Sequence, residues 1–372
     1  MRADNVVVDL NGHRVFGTPG PGNGRAVGIR IENRTGVTVQ RGTVSDFDAG
    51  VLIRGGSANT LRQLVIRDNI GPADPDSEFG DGVAVINSPR NQIVNNVVDH
   101  NGQFDGIAIL GDGSDANNVQ ANVVSDTVGL FNTPPLRGTG IVVANFFGDD
   151  PVPGAEDLFD NSVVQNVVQR NTGSGIVSRS NVRGRILQNT VEDNGPLYYG
   201  NEPLSGQGAG DGIALSKDPN SATDATRVLV EGNRVVNNGE VGVLVYLDAD
   251  ANVVRSNDVL DNGVAGIGIF TQDNRVIENR TGGNGIIDLL DANPDCDNNV
   301  WRRNTWGPLP PRAAEFGFTA SYFPACTTTG GSGPNPSTAS APATAGAPAV
   351  ARQVPLAGRA DSPPLSGSRR AG

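Results

Sequence analysis

Lysine is almost missing from this 372-residue chain: Lys217 stands alone, and the other positive charges are arginines set against a net charge of −12. No basic face is therefore expected that could displace counterions from phosphates, which excludes nucleic acid and anionic lipid as partners. Methionine occurs once, at Met1, and histidine twice, at His13 and His100. Soft and imidazole metal ligands are correspondingly few. Cysteine occurs only at Cys296 and Cys326, 30 positions apart with no Cys-x-x-Cys and no nearby histidine cluster. That spacing argues against zinc, and one disulfide is the simpler expectation. Apolar runs long enough to cross a bilayer, about 20 residues, are lacking too. The first residues, MRADNVVVDLNGHRV, show neither a charged-then-apolar leader nor a cleavage site.

Glycine is abundant, with 50 residues beside 24 prolines, so turns are many and helix is not expected to dominate. The glycines recur in register. Gly28, Gly50, Gly82, Gly106, Gly140, Gly175, Gly212, Gly242, Gly266 and Gly285 are each followed by Ile or Val. Two positions later an apolar residue follows in every unit but two, where Ser178 and Asp288 stand. This is the alternation of a short strand with one buried face. A second signature, N-x4-N-x4-N, appears at Asn91/Asn96/Asn101, Asn161/Asn166/Asn171, Asn252/Asn257/Asn262 and Asn274/Asn279/Asn284. Because asparagine tolerates left-handed backbone and bonds its own turn, each is expected to bend one strand into the next.

Uninterrupted units such as 82–105 and 242–265 have 24 residues. One unit cannot bury its apolar stripe alone; stacking units about 4.8 Å apart makes a continuous interior. The expectation is an all-β, single-stranded, right-handed parallel β-helix of about 11 coils, with asparagine side chains bonding from coil to coil. A leucine-rich repeat lacks support, since its leucine spacing and helical segments are absent.

The stretches DGVAVINSPRNQIVNNVVDHN (81–101), DNSVVQNVVQRNTGSGI (160–176), ANVVRSNDVLDNGVAGIGI (251–269) and CDNNVWRRNTWG (296–307) resemble the pectate-lyase-like β-helix superfamily. The likeness is to its carbohydrate-binding and sugar-hydrolase members, and it spans about residues 5–307. It implies the fold, and it implies a choice among lyase, hydrolase, epimerase, metal-delivery and non-enzymatic roles. Copper delivery, known in one branch, is opposed by the single methionine, the separated histidines and the expected cysteine pair.

The organisation expected is a β-helix over 1–307, a C-terminal cap over 308–326 tied down by Cys296–Cys326, and a disordered Ala/Pro/Ser/Gly-rich tail over 327–372. Aromatics in WRRNTWG and FGFTASYFPAC are expected to cover the last coil. At the other end NVVVDLNGHRV already reads as strand, and an open strand edge invites aggregation. An N-terminal cap and a signal peptide upstream of Met1 are therefore expected, with the product secreted or at the cell surface.

Insertions at 70–81, 128–139 and 195–211 precede the glycine-start strand, and those at 146–159 and 217–225 follow it. Loops on both sides of one strand column form the walls of a cleft. Its floor is read from the outward positions, including Leu52, Ala84, Ala108, Val142, Val177, Ala214 and Leu244, as mainly apolar. The facing carboxylates of a glycosidase and the base with a cation of a uronate lyase are both missing from those columns. Asp81, Asp105 and Asp211 stand one step earlier. Asp81 and Asp105, in adjacent coils, either make ordinary Asp-Gly turns or hold calcium or a catalytic proton. Lys217 is a candidate base or a solvated loop lysine. Asp149, Asp150, Arg137, Tyr198 and Tyr199 could reach in from the loops, the tyrosines by stacking on sugar rings. His100 reads as an exposed turn residue, and His13 lies on the first strand far from the loops. The functional expectation is an exported glycan-binding β-helix. A polysaccharide-active enzyme and a purely structural surface module are the alternatives.

Overall fold

The computed structural model describes residues 1–17, 26–71, 80–129, 138–145, 157–195, 210–217, 226–293 and 296–318, with the backbone of Tyr322–Phe323. The chain winds into a parallel solenoid with two large walls. An eleven-stranded sheet takes one short strand from each coil, beginning Val27–Glu32, Ala49–Arg54, Val83–Ile86 and Ile107–Leu110, and every pairing in it is parallel. A nineteen-stranded sheet takes most of the rest, typically two three-residue strands per coil such as Gln92–Val94 and Val97–Asp99, and two small pairs join Gly102–Gln103 to Val128–Gly129 and Leu158–Phe159 to Asn181–Val182. Period-2 alternation explains the interior. Ile107 and Ile109 point inward from one wall and Val119 and Val124 from the other, all at 0–1% exposure. Each such side chain stabilises by about 1.5–3 kcal/mol, and the stack joins them into one core.

The bends hold three columns of buried asparagine. The middle column runs through Asn96, Asn122, Asn166, Asn189, Asn233, Asn257, Asn279 and Asn304. At Asn166 the amide is fully used. Its Oδ1 accepts the Asn122 backbone N–H at 2.9 Å and the Asn122 Nδ2 at 3.0 Å. Its Nδ2 donates to the Val119 carbonyl at 2.9 Å and to Asn189 Oδ1 at 3.0 Å. The coil-to-coil ladder expected from the sequence is present, but the asparagines are not the left-handed residues. That conformation falls on the residue before each one: Arg90 (φ 58), Asn95 (φ 56), Ala121 (φ 54), Gln165 (φ 56) and Glu278 (φ 57). Left-handed backbone costs these side chains about 1–2 kcal/mol each, and the four bonds of the following amide offset it.

The start glycine has its own reason. At Gly82 a Cβ would lie 2.6 Å from the Gly106 carbonyl oxygen and 2.9 Å from Asn101 Nδ2, so a side chain would push the adjoining ladder apart. In the last coil the expected start is displaced by three residues. Register pairs Ile267 with Leu289 and Ile269 with Asp291, so Asp288, not Gly285, stands beneath Gly266. Ile286 after Gly285 imitates the motif without being it.

At the C-terminal end Trp301 fills the interior of the last coil at 1% exposure. Beyond it Trp306 packs against the same core, as expected of the aromatics there, and the chain then turns onto the sheet. Pro311–Phe316 form a 3₁₀ turn, and Ala313 and Phe318 pack against the outward face of the eleven-stranded sheet. Tyr322–Phe323 then add the eleventh strand beside Leu289 and Leu290. Cys296 is buried, whereas Cys326 and the 327–372 tail lie outside the described residues. Among the described residues no helix is long and apolar enough to cross a membrane.

Candidate functional site

Every long interruption of the described chain enters or leaves the eleven-stranded sheet. Residues 72–79, 130–137 and 196–209 precede its strands, and 146–156 and 218–225 follow them. The turn between the two strands that a coil gives to the other wall carries none of these insertions among the described residues, with four residues between Asp9 and Arg14 in the first coil and two between Val94 and Val97. The strand Ile141–Ala144 has an insertion at both ends.

The floor between these insertions is apolar, as read from the sequence, but most of it is closed. Leu52, Ala84, Ala108, Ala214 and Leu244 are exposed by 0–5%. Toward the N-terminal end Ala49, Leu52, Ala84 and Ile86 form an outward apolar cluster. At the other end Phe318 and Ala313 cover Val241, Ala265, Ile287 and Leu290. The central coils leave a partly exposed apolar floor at Leu110, Val142 and Val177 beside Arg179, while Arg30, Glu32 and Arg54 toward one end and Tyr246 and Phe270 toward the other are also at least partly exposed. Val142 and Val177 are register partners, and so are Ala144 and Arg179, so these side chains make one patch two strands wide.

The aspartates before the start glycines serve the backbone. Asp81 Oδ1 accepts the Asp105 N–H at 3.0 Å, Asp105 Oδ1 accepts the Thr139 N–H at 3.1 Å, and Asp211 Oδ1 accepts the Val241 N–H at 3.2 Å. This is turn chemistry carried from coil to coil. Asp81 and Asp211 are buried, and Asp105 is half-buried. Lys217 is half-buried directly after Ser216, and its N–H donates to the Leu247 carbonyl. It lies at the opposite end of the strands from the aspartates. Arg137, Asp149, Asp150, Tyr198 and Tyr199 lie outside the described residues. His100 is an exposed turn residue, as expected, with φ 48 and its Nδ1 2.9 Å from Asp68 Oδ1.

Arginines elsewhere are spent between coils. Arg170 meets Asp126, Arg183 meets Asp160, Arg255 meets Glu231 and Arg280 meets Asp258, all on exposed surface. Arg183 and its hydrogen bonds hold the Asp160 carboxyl below the usual range. Asp46 is likewise lowered, by the Ser45 hydroxyl and then by Arg14. Two acids that sequence reasoning did not single out behave oppositely. Burial raises Asp288 and Asp291 above the ordinary carboxylate value. Asp288 accepts from Asn284 Nδ2 at 2.7 Å and the Gly307 N–H at 2.7 Å, and Asp291 accepts from Trp301 Nε1 at 2.8 Å. Both belong to the closing coil, away from the exposed patch.

With this geometry the comparisons can be placed. Residues 8–209 match the family described as periplasmic copper-binding protein (NosD). This chain belongs to the NosD family. Residues 152–305 also match the right-handed β-helix region. No curated protein matches the chain. Among solved structures, the Dettilon tailspike protein is similar with a TM-score of 0.53 and 15% identity over 79% of this chain and 53% of that one. The A-module of the Azotobacter vinelandii mannuronan C-5 epimerase AlgE6 gives 0.50 and 14% over 88% of this chain and 81% of that module. The pectate lyase Pel9A gives 0.50 and 14% over 88% and 69%. These likenesses establish the fold, and the chain spans about half the tailspike's length.

The copper in the family's description can be tested against the donors present. His13 and His100 are exposed in different coils, Cys296 is buried in the closing coil, and Met1 is the single thioether. At one strand spacing per coil, His100 and Cys296 are separated by roughly 30 Å along the axis. Among the described residues no group of three His, Cys, Asp or Glu side chains is placed to hold a metal. This NosD-family member does not present a soft, clustered donor set of the kind copper takes.

Proposed function

We propose that this NosD-family chain is an exported β-helix that binds glycans on the outward face of its eleven-stranded sheet, at the central coils. One observation carries the reading: among the described residues insertions flank only this sheet, and in its central coils Leu110, Val142 and Val177 leave an apolar floor partly exposed beside Arg179. An apolar strip with polar margins fits the faces and hydroxyl edges of sugar rings. Tyr198, Tyr199 and Arg137 are the wall residues proposed to contact the sugar, with Asp211, buried and bonded to the Val241 N–H, holding the margin from beneath. Secretion or cell-surface display accords with the periplasmic description of the family.

The net charge of −12, with arginines drawn into pairs between coils, favours neutral or weakly charged glycans over pectate or alginate. A glycan array, run with a screen for new reducing ends and unsaturated products with and without calcium, tests this. Retention of neutral glycans without turnover is the expected result. Silence on every glycan would remove the carbohydrate assignment and leave a structural module.

The second reading is a polysaccharide-active enzyme, with Asp81, Asp105 and Lys217 as candidate catalytic groups and calcium at the Asp81–Asp105 pair. Turnover lost in Asp105→Ala or Lys217→Ala would establish it. The bonds from Asp81 and Asp105 to backbone N–H groups favour the binding reading, because an alanine there removes a coil-to-coil contact as well.

A further inference from the structure

Among the described residues buried polar side-chain atoms are satisfied with few exceptions, and apart from Arg34 Nε near the N-terminal end these lie in the central coils. Gln103 Oε1, Asn117 Nδ2, Thr127 Oγ1 and Asn145 Oδ1 are buried without a hydrogen-bond partner. All four belong to the central coils that carry the exposed patch. Asn117 and Thr127 sit in bend columns, where a missing bond marks a local break in a ladder. Asn145 belongs to no column. It follows Ala144 at the end of a strand that, like Ile213–Ser216, has insertions at both ends, and it is 3% exposed. Register places Ala144 between Leu110 and Arg179, so Asn145 stands at the margin of the patch, one residue beyond it.

An amide oxygen buried with nothing to accept is unfavourable in the free protein. Ladder asparagines show how readily this chain pairs such groups, with Oδ1 accepting twice at Asn122, Asn166 and Asn189. Among the described residues, Asn145 is the buried asparagine whose oxygen accepts nothing.

We infer that Asn145 Oδ1 is the acceptor that a hydroxyl of the bound sugar fills. The ligand class is thereby a hydroxyl-bearing glycan presented as a donor at the Ala144 end of the Val142–Val177 strip, and the inference rests on the glycan-binding reading. A site built to accept a hydroxyl discriminates against a ligand lacking it, because the group is then left unpaired.

The test uses the full chain with Asn145→Leu, which replaces the amide by an apolar side chain of similar size, beside the ladder variant Asn166→Ala. Binding is measured to cellohexaose, xylohexaose, mannohexaose and chitohexaose, and thermal stability is measured for each variant. Asn145→Leu is expected to keep or raise the melting temperature, since no hydrogen bond is lost, while weakening the best hexaose by about tenfold. A melting temperature lowered as far as in Asn166→Ala would make Asn145 a structural residue and overturn the inference. Equal binding by wild type and Asn145→Leu would remove the Asn145 assignment and leave glycan binding standing. Failure of the wild type to bind any of the four, with silence on the wider array, would remove both.

Discussion

The two walls of the solenoid obey different rules. In the nineteen-stranded wall each coil repeats the last: short strands, a single bend between them, and a middle asparagine column unbroken from Asn96 to Asn304. The columns that border the eleven-stranded wall are interrupted. One leaves Asn117 Nδ2 unused, and the other substitutes Thr127 between Asn101 and Asn171. Insertions and the partly exposed floor occur in the same coils. One wall therefore supplies rigidity, and the other tolerates local disorder of the pattern where a ligand can be met.

The sharpest way to break this contrast is to cut both kinds of column. Asn166→Ala strands the backbone N–H and Nδ2 of Asn122 together with the Val119 carbonyl, and is expected to destabilise by roughly 3–5 kcal/mol. Asn117→Ala strands only the two donors of Asn91 and should lose about half as much. Urea unfolding of the two variants measures the difference. Equal losses would show that the interrupted column is as strong as the intact one.

A smaller effect separates the closing coil from the paired surface. Asp288 and Asp291 have folded pKa values raised by burial, so the folded state holds more protons than the unfolded one between the ordinary carboxylate value and the raised one. Stability should therefore rise as pH falls through that window. Asp46 and Asp160 are lowered, so their contribution is present above the ordinary value and is lost as pH falls through their folded values. Thermal melts from about pH 7 downward should show a rise followed by a steep fall. Asp291→Asn should flatten the rise, and a steady decline from neutrality in the wild type would contradict the role given to the buried acids.

Least of all should the surface pairs matter. Arg255→Ala removes an exposed contact to Glu231 and is expected to leave the urea midpoint nearly unchanged. A loss as large as that of Asn117→Ala would mean that charge, rather than amide ladders, holds the nineteen-stranded wall.

Much of this contrast is legible in the residues. Glycine followed by Ile or Val marked the eleven-stranded wall, and the five-residue asparagine spacing marked the ladders. The bends themselves were misassigned, because the left-handed conformation falls on Arg90, Ala121, Gln165 or Glu278, residue types with no preference for it. Only the buried amide one step later makes it affordable. The last start was misplaced because Gly285-Ile286 copies the local pattern while the register is decided by the neighbouring coil. Unequal loop lengths marked the eleven-stranded wall as the one that carries the insertions. Closure of its floor by Ala313 and Phe318 left no local mark, since it depends on a segment folding back from beyond the repeats.

Asp288 gives one asparagine column a means of termination. An asparagine in a column accepts from the coil before and offers its own hydrogens to the coil after, so every added turn creates a demand for another. Where the column reaches Asn284, the partner is a carboxylate, which accepts and has no hydrogen of its own to pass on when ionised. Asp288 thus closes this one column inside its own coil, while the two neighbouring columns run one coil further, to Asn299 and Asn304.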